Sequence, residues 1–236
     1  MAYELYYWPT IQGRGEFVRL ALEEAGAEYI DVARESEGIA VMMRMMEHVD
    51  HPPFAPPFLK HGETIIGQTA AILLYLGARH GLAPKDPAGG LWTHQIQLTI
   101  GDFVAEAHDT HHPLGIGLYY EDQKQEAFRR AQEFRDDRVP KFLDWFETIL
   151  GRNPSGDSYL VGRSLTYVDL SLFQVVEGLS YAFPKATRRA LKKAPRVAAL
   201  HDAVAERSRI KSYLASPRRT PFNEEGIFRR YPELDG

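Results

Sequence analysis

Residues that could bind or stabilise an anion fall in three short segments of the first third of the chain. The first segment is Tyr7-Trp8-Pro9, which is followed by Gly13-Arg14. The aromatic run bounded by proline predicts a strand, and the glycine predicts the start of a helix. A phenol at the end of a strand and above a helix N-terminus is well placed to stabilise an anion. The alternative is a half-buried strand aromatic that has no chemical role.

The other two segments contain prolines and a glutamine–threonine pair. In Pro56-Pro57 the peptide bond can be cis, which would present backbone groups to an extended peptide, although an ordinary proline-rich loop is the alternative. Gln68-Thr69 precedes a helical pattern. The amides of such a helix start, with the threonine hydroxyl, form a socket for a carboxylate. The alternative is that Thr69 serves only as a helix cap.

These segments are positioned by an α/β domain. Apolar spacing predicts a strand, a helix closed by Gly26 and a second strand, which together form a parallel β-α-β unit with a right-handed crossover. A hairpin and a last helix follow, so the sheet is mixed. The predicted segments are residues 3–8, 17–25, 28–32, 58–60, 64–66 and 69–78.

The rest of the chain is predicted to be helical. Residues 1–80 carry 11 acidic and 6 basic side chains, whereas the remainder is nearly balanced. Between the two lies a stretch rich in proline and glycine, residues 81–90, which predicts a linker. Thr166 and Asp169 have the spacing of a capping box at the start of one helix. Residues 220–236 show no clear period.

The composition excludes several classes of function. The chain has 236 residues, no cysteine and a formal net charge of −4. Disulfides, thiolate nucleophiles and cysteine-based zinc sites are therefore excluded, and any reactive sulfur must come from a ligand. The slight acidity gives no electrostatic reason to bind nucleic acid or an anionic membrane. Without a signal-peptide pattern or a spanning apolar stretch, we expect a cytoplasmic protein.

Five motifs occur in the order and spacing that resemble those of the cytosolic glutathione S-transferases. They are Tyr7-Trp8-Pro9 with Gly13-Arg14, and residues 57–63, 68–72, 160–169 and 210–217. The resemblance is to the tyrosine type, including the sigma, pi, alpha and mu classes, in a bacterial form. It implies a thioredoxin-like domain with a mixed four-stranded sheet over residues 1–80, the linker at 81–90, and an all-helical domain over 91–236.

The resemblance also implies roles for single residues. Tyr7 would donate a hydrogen bond to the sulfur of glutathione and favour the thiolate. Pro57 would be a cis proline, and the carbonyl of Pro56 would accept from the cysteinyl amide of glutathione. Gln68 and Thr69 would hold the γ-glutamyl carboxylate and amine.

Two further positions accompany these. Arg14 belongs to the glutathione-binding set, and we expect it chiefly to bridge the two domains. Tyr6 is the alternative to Tyr7, because side chains alternate along a strand and only one of the pair can face the site. We favour Tyr7 because it is nearer to the helix N-terminus.

Acids and histidines cluster on the first long helix of the second half. Members of the family often lend an acid from the partner subunit to the amine of glutathione, and Glu106 or Asp109 could do so. A solvated helix face explains both equally well. His108, His111 and His112 suggest a metal site with Asp109 nearby, and His108 and His112 have the i, i+4 spacing of a metal-binding pair. Because the sequence places no third ligand, we expect no metal.

We therefore expect a homodimeric glutathione transferase active in detoxification. It would use glutathione as co-substrate, attack a hydrophobic electrophile, and have neither a nucleic-acid nor a membrane partner. A non-enzymatic binding or regulatory protein of the same fold is the alternative, as is a glutathione-dependent isomerase or peroxidase. Retention of Tyr7, Pro57, Gln68 and Thr69 favours the enzyme, because a site without function could lose them.

Overall fold

The N-terminal part of the chain is a four-stranded sheet with helices on both faces. A computed structural model describes residues 2–236. The sheet order is β2-β1-β3-β4, with β1 parallel to β2 and the other pairs antiparallel. The predicted mixed four-stranded sheet is thus confirmed. The elements are β1 (Tyr3–Tyr6), α1 (Gly15–Ala25), β2 (Tyr29–Asp31), α2 (Gly38–His48), β3 (Phe58–His61), β4 (Thr64–Gly67) and α3 (Thr69–His80).

Alternation along β1 sorts its side chains between the two faces of the sheet. Tyr3 and Leu5 lie in the main core with α1 and α3. Tyr6 points to the opposite face, where it packs with Phe58 and with Met42 of α2. The residue after Tyr6 therefore faces α1, which decides where Tyr7 goes.

Residues 87–214 are mostly helical, as predicted, whereas the segment after residue 214 is not. The helices in this range are α4 (Pro87–Asp109), α5 (Lys124–Glu133), α6 (Val139–Arg152), α7 (Tyr167–Ala182), α8 (Pro184–Leu191), α9 (Pro195–Ala205) and α10 (Ser208–Leu214). A π-helical turn, Phe134–Arg138, joins α5 to α6. Within residues 2–236, none of the helices combines the length and the apolar character needed to cross a bilayer.

The connection between the two parts is shorter than the predicted linker of residues 81–90. Helix α4 already begins at Pro87, because Asp86 caps it by accepting a hydrogen bond from the amide of Gly89 at 2.7 Å. Proline is favoured at the first helical position, where its missing N–H costs nothing. Of the three glycines that suggested a linker, Gly89 and Gly90 lie in the first turn of α4, and Gly81 ends α3.

Helix α7 is the centre of the helical part and packs on α1, α4, α8 and α9. Its side chains are buried on nearly every face, as expected for a helix surrounded by others. The predicted capping box at its start is confirmed. The carboxylate of Asp169 accepts from the amide and the hydroxyl of Thr166, at 2.7 and 2.8 Å, and from the amide of Leu160 at 2.8 Å.

Helix α1 is fixed to the helical part by a buried polar cluster. The carboxylate of Glu16 accepts from the hydroxyl of Tyr213 at 3.0 Å and lies 3.4 Å from the guanidinium of Arg19. Arg19 also donates to Asp31 at 2.7 Å. Glu16 and Arg19 are fully buried, so each charge depends on the other for compensation.

The segment after α10 is a strap rather than a free tail. It shows no helical period because it contains no α-helix, only a 3₁₀ turn at Pro232–Leu234, yet Ile227, Phe228 and Leu234 are buried. Phe228 lies against Gly178 of α7 at a distance that leaves no room for a Cβ atom. The ring of Tyr231 stacks on that of Tyr120 with centroids 3.8 Å apart.

Replacing Asp169 by alanine is expected to lower the free energy of unfolding by about 3 kcal/mol, because buried donors at Leu160 and Thr166 lose their acceptor. Chemical denaturation monitored by circular dichroism measures the change. Asp144→Ala, at an exposed position of α6, is the control and is expected to change stability by less than about 0.5 kcal/mol. Equal effects of the two substitutions would contradict the capping role.

Candidate functional site

Three of the residues singled out from the sequence line up along one edge of the sheet. The last ladder pairs of β1 with β3 and of β3 with β4 both involve Phe58. When both pairings are continued by one residue beyond these pairs, Tyr7 lies opposite Pro57 and Pro57 lies opposite Gln68. Neighbouring strands lie about 4.8 Å apart, so the three positions form a continuous row. Helices α1 and α3 both start at this edge, and their N-termini favour negative charge there.

The backbone of this row has two unusual features. The Pro56-Pro57 peptide bond is cis, which confirms that prediction. Gln68 is not glycine, yet its φ is 64° and its ψ is 121°. Backbone strain of this kind in a non-glycine residue is concentrated at ligand-binding positions. The row therefore has the geometry of a site as well as its residues.

Gln68, not Thr69, occupies the cap position of α3. Thr69 is the first helical residue, and its hydroxyl lies 3.5 Å from the carbonyl oxygen of Arg14, a weak contact. The alternative in which Thr69 is a plain helix cap is therefore wrong. The first amides of α3 and the Thr69 hydroxyl remain available to an anionic group.

Tyr7 is held tightly against the start of α1. Only 4% of its surface is exposed. A Cβ atom on Gly13 would overlap its hydroxyl, and a Cβ on Gly15 would lie 2.5 Å from its ring. Gly13 also has a φ of +44°, which other residues rarely adopt. Both glycines are thus required for the ring to reach its position.

The hydroxyl of Tyr7 accepts a hydrogen bond from the amide of Arg14 at 2.8 Å. No acceptor for its own proton is found among residues 2–236. Burial raises the pKa of Tyr7, outweighing the amide bond from Arg14 and the charges of Arg14 and Arg19. The phenol is therefore protonated at neutral pH and has one hydrogen to donate to a ligand.

Tyr6 is engaged elsewhere. Its ring stacks on Phe58 with centroids 4.4 Å apart, and its hydroxyl donates to Glu4 at 2.7 Å. Burial raises its pKa, and so does the hydrogen bond to Glu4. The structure thus brings Tyr7 to the start of α1 and places Tyr6 on the other face of the sheet.

Arg14, Gln68 and Thr69 line a cavity of about 260 Å³ between α1, α3 and α4, and Asp102 of α4 lines it with them. Tyr7 and Pro56 do not line this cavity. Arg14 connects the cavity to Tyr7, because it lines the cavity and its amide donates to the Tyr7 hydroxyl. We did not predict Asp102 from the sequence. It precedes Glu106 and Asp109 on one helical stripe, and the spacing alone does not say which turn faces the sheet.

The two acids named from the sequence lie elsewhere. Glu106 accepts a bidentate contact from Arg138, at 2.6 and 2.8 Å, and a further contact from Arg130 at 3.3 Å. Although partial burial acts in the opposite direction, Arg138 and Arg130 lower the pKa of Glu106. Asp109 is about half exposed and lies 3.7 Å from a ring nitrogen of His108.

Three histidines meet at the end of α4. The helix ends at Asp109, so His112 lies beyond it, and the turn that follows also brings His111 to the group. Burial lowers the pKa of all three, to about 4 for His108 and about 3 for His111. The charge of Arg14 also lowers the pKa of His108, which places the group near the start of α1.

Comparison with known proteins agrees with this architecture. The family model described as "Glutathione S-transferase, C-terminal domain" matches residues 108–217. A glutathione S-transferase of Plasmodium falciparum is 24% identical over 219 residues, which cover 90% of this chain and 94% of the relative. Glutathione S-transferase 1 of Ascaris suum is 28% identical over 221 residues, covering 93% and 98%. The chain is thus similar to glutathione S-transferases along nearly its whole length, and residues 108–217 match their C-terminal domain.

Solved structures of glutathione S-transferases extend the likeness to three dimensions. The crystal structure of the enzyme from Ascaris lumbricoides matches 94% of this chain and 100% of its own, with a TM-score of 0.69 and 26% identity. The likeness therefore covers both the sheet domain and the helical part of the chain.

Replacing Gly13 by alanine is expected to lower transferase turnover about 100-fold, because the new methyl group displaces the Tyr7 hydroxyl by roughly an ångström. Steady-state kinetics with glutathione and chlorodinitrobenzene measure the change. Gly117→Ala is the control, since nothing lies within 4 Å of the added methyl group. Full turnover in a folded Gly13→Ala protein would show that the position of Tyr7 does not matter.

Proposed function

We propose that this protein, a transferase of the glutathione S-transferase family, conjugates glutathione to hydrophobic electrophiles with Tyr7 as the hydrogen-bond donor to the sulfur. One observation carries the proposal. The Tyr7 hydroxyl accepts from the amide of Arg14, has no acceptor within residues 2–236, and lies at the sheet edge it shares with Pro57 and Gln68. Its unused proton is what a thiolate at that edge needs.

The energy required of Tyr7 is modest. A free thiol has a pKa near 8.5, and lowering it by one or two units corresponds to about 1.4–2.7 kcal/mol. A hydrogen bond to a charged group contributes about 1.5–3 kcal/mol. Because its own pKa is raised, Tyr7 acts as a donor and not as a base. The N-terminus of α1 adds to the stabilisation of the anion.

The other residues of the row would hold the tripeptide. The carbonyl of Pro56 would accept from the cysteinyl amide, as in a pairing strand. Pro56 has no N–H to offer in return, so this clamp has one hydrogen bond fewer than a regular ladder pair. The α3 N-terminus with Gln68 and Thr69 would bind the γ-glutamyl carboxylate.

Charged residues of the cavity complete the binding site for glutathione. Asp102 is the acid that would pair with the γ-glutamyl amine, since it lines the same cavity as Gln68 and Thr69. Arg14 lies in that cavity as well, where it would contact a carboxylate of the ligand. Glu106 is less suited to the amine, because two arginines of its own chain hold it.

The protein is further proposed to act as a homodimer. Exposed leucines on α3 and α4 support this, because Leu74 of α3 is 43% exposed, and Leu91 and Leu98 of α4 are 73% and 52% exposed. Side chains of this kind on helix surfaces are typical of interfaces. A cytoplasmic location and a role in detoxification stay predictions.

Replacing Tyr7 by phenylalanine is expected to lower kcat/KM for chlorodinitrobenzene by about 10- to 100-fold at neutral pH, since the thiolate loses its donor. The pKa seen in the acid limb of the pH–rate profile is expected to rise by about one to two units. Activity in the wild type is therefore kept to lower pH than in the variant. Glutathione affinity is expected to stay near normal.

Tyr6→Phe is the matched control, because the two residues are adjacent and lose the same hydroxyl. It is expected to leave the pH–rate profile in place. If the pKa of the pH–rate profile shifted in Tyr6→Phe and not in Tyr7→Phe, Tyr6 would be the donor to the sulfur and the assignment to Tyr7 would be wrong. If the wild type bound glutathione but turned over no electrophile, the non-enzymatic alternative would be correct.

Replacing Asp102 by asparagine is expected to raise KM for glutathione about tenfold with little change in kcat, because a charge pair with the amine is lost and the sulfur is untouched. Asp109→Asn on the same helix is the control and is expected to leave KM unchanged. If Asp109→Asn raised KM and Asp102→Asn did not, Asp109 would be the acid that pairs with the amine, two helical turns further along α4.

A further inference from the structure

The histidine group at the end of α4 has the arrangement of a metal site. One ring nitrogen of each of His108, His111 and His112 lies within 4.8 Å of one in each of the other two. The ring centroids are 5.0, 5.0 and 4.7 Å apart. Three neighbouring imidazoles do not by themselves indicate an ion, so further observations have to carry the argument.

The strongest of these is the state of His111. Its side chain is buried, with 1% exposed, and its Nε2 lies 2.8 Å from the carbonyl oxygen of Ile227. A carbonyl only accepts, so Nε2 carries the hydrogen and Nδ1 is left with its lone pair. Within residues 2–236, that buried Nδ1 has no hydrogen-bond partner. A ligand histidine typically donates its other nitrogen to a carbonyl in this way.

The other two rings can complete the site. Nδ1 of His112 lies 3.2 Å from the amide nitrogen of Gln123, which holds the ring, and His108 is only partly buried. A zinc–nitrogen bond is about 2.0–2.1 Å long, so the ligand nitrogens of one ion lie about 3.3 Å apart. Closing this gap requires rotation of the His108 and His112 side chains, and for His112 the ion would replace the contact with Gln123. The ring of His111 keeps its contact with Ile227.

Some charges near the three histidines favour a bound cation and others disfavour it. The carboxylate of Asp109 acts on His108 and His112 and favours a cation there. The group also lies at the C-terminal end of α4, where the helix dipole favours positive charge. Arg229 acts on all three rings and Arg14 acts on His108, and both disfavour a cation.

We propose that His108, His111 and His112 bind one divalent transition-metal ion, zinc by the ligand type, with a coordination position left open. Three imidazoles with an open position are typical of zinc sites that bind a further ligand. The guanidinium of Arg229 donates to the carbonyls of Gly226 and Glu225 at 2.8 and 3.2 Å and has no acid partner among residues 2–236. It therefore weakens the site without being part of it.

The test is metal binding by protein without an affinity tag, first stripped with a chelator. Calorimetry with zinc is expected to show one ion per chain, and cobalt is expected to give the visible absorbance of a low-symmetry nitrogen site. His108→Ala and His112→Ala are each expected to weaken zinc binding by about tenfold or more. His48→Ala, which removes an exposed histidine of α2, is expected to leave it unchanged.

Arg229→Gln gives an outcome that a general loss of structure would not produce. Removing the positive charge is expected to tighten zinc binding about threefold. Absence of saturable binding at one ion per chain would overturn the proposal, as would equal binding by the wild type and by His108→Ala and His112→Ala. Weaker binding in a folded Arg229→Gln protein would also overturn it. Because the readout is binding, the result does not depend on whether the protein conjugates glutathione.

Discussion

The hydrogen bond from the amide of Arg14 to the hydroxyl of Tyr7 is the contact on which the proposed chemistry depends. It joins the end of β1 to the start of α1, and it fixes which of the two hydrogen-bonding functions of the phenol remains for a ligand. The oxygen is occupied as an acceptor, so the hydrogen is the part that is free. Only glycine at positions 13 and 15 lets the ring come this close to the helix.

The helical part of the molecule contributes by keeping α1 in place. Glu16 and Arg19 on α1 are fully buried and are compensated by Tyr213 of α10 and Asp31 of β2. Buried charges tolerate little displacement, because each loses its compensation when the other moves. Residues at the start of α1 are therefore positioned by contacts on the far side of the helix. The strap adds to this, since Gln12 donates to the carbonyl of Thr220 at 2.6 Å.

Local features were predictable because their causes are local. The alternation of β1, the glycine that ends α1 and the capping box at Asp169 each depend on a few neighbouring residues. The cis peptide at Pro57 was expected from the family resemblance, because the residues alone fit an ordinary proline-rich loop equally well. Side-chain positions that depend on partners distant in sequence could not be predicted in this way. Glu106 meets Arg138 only when α4 packs beside the turn before α6, and Asp102 joins the cavity only when α4 packs beside α3. His111 enters its group because α4 ends one turn early, and its nitrogen is fixed by Ile227 of an aperiodic strap.

The most direct measurement of the central claim is a crystal structure of the protein with glutathione bound. We predict that the sulfur lies within hydrogen-bonding distance of the Tyr7 hydroxyl, while the amide of Arg14 keeps its bond to the same oxygen. We also predict that the cysteinyl amide of the ligand lies against the carbonyl of Pro56. A sulfur held by Tyr6, or by the amide of Arg14 with Tyr7 displaced, would contradict the account.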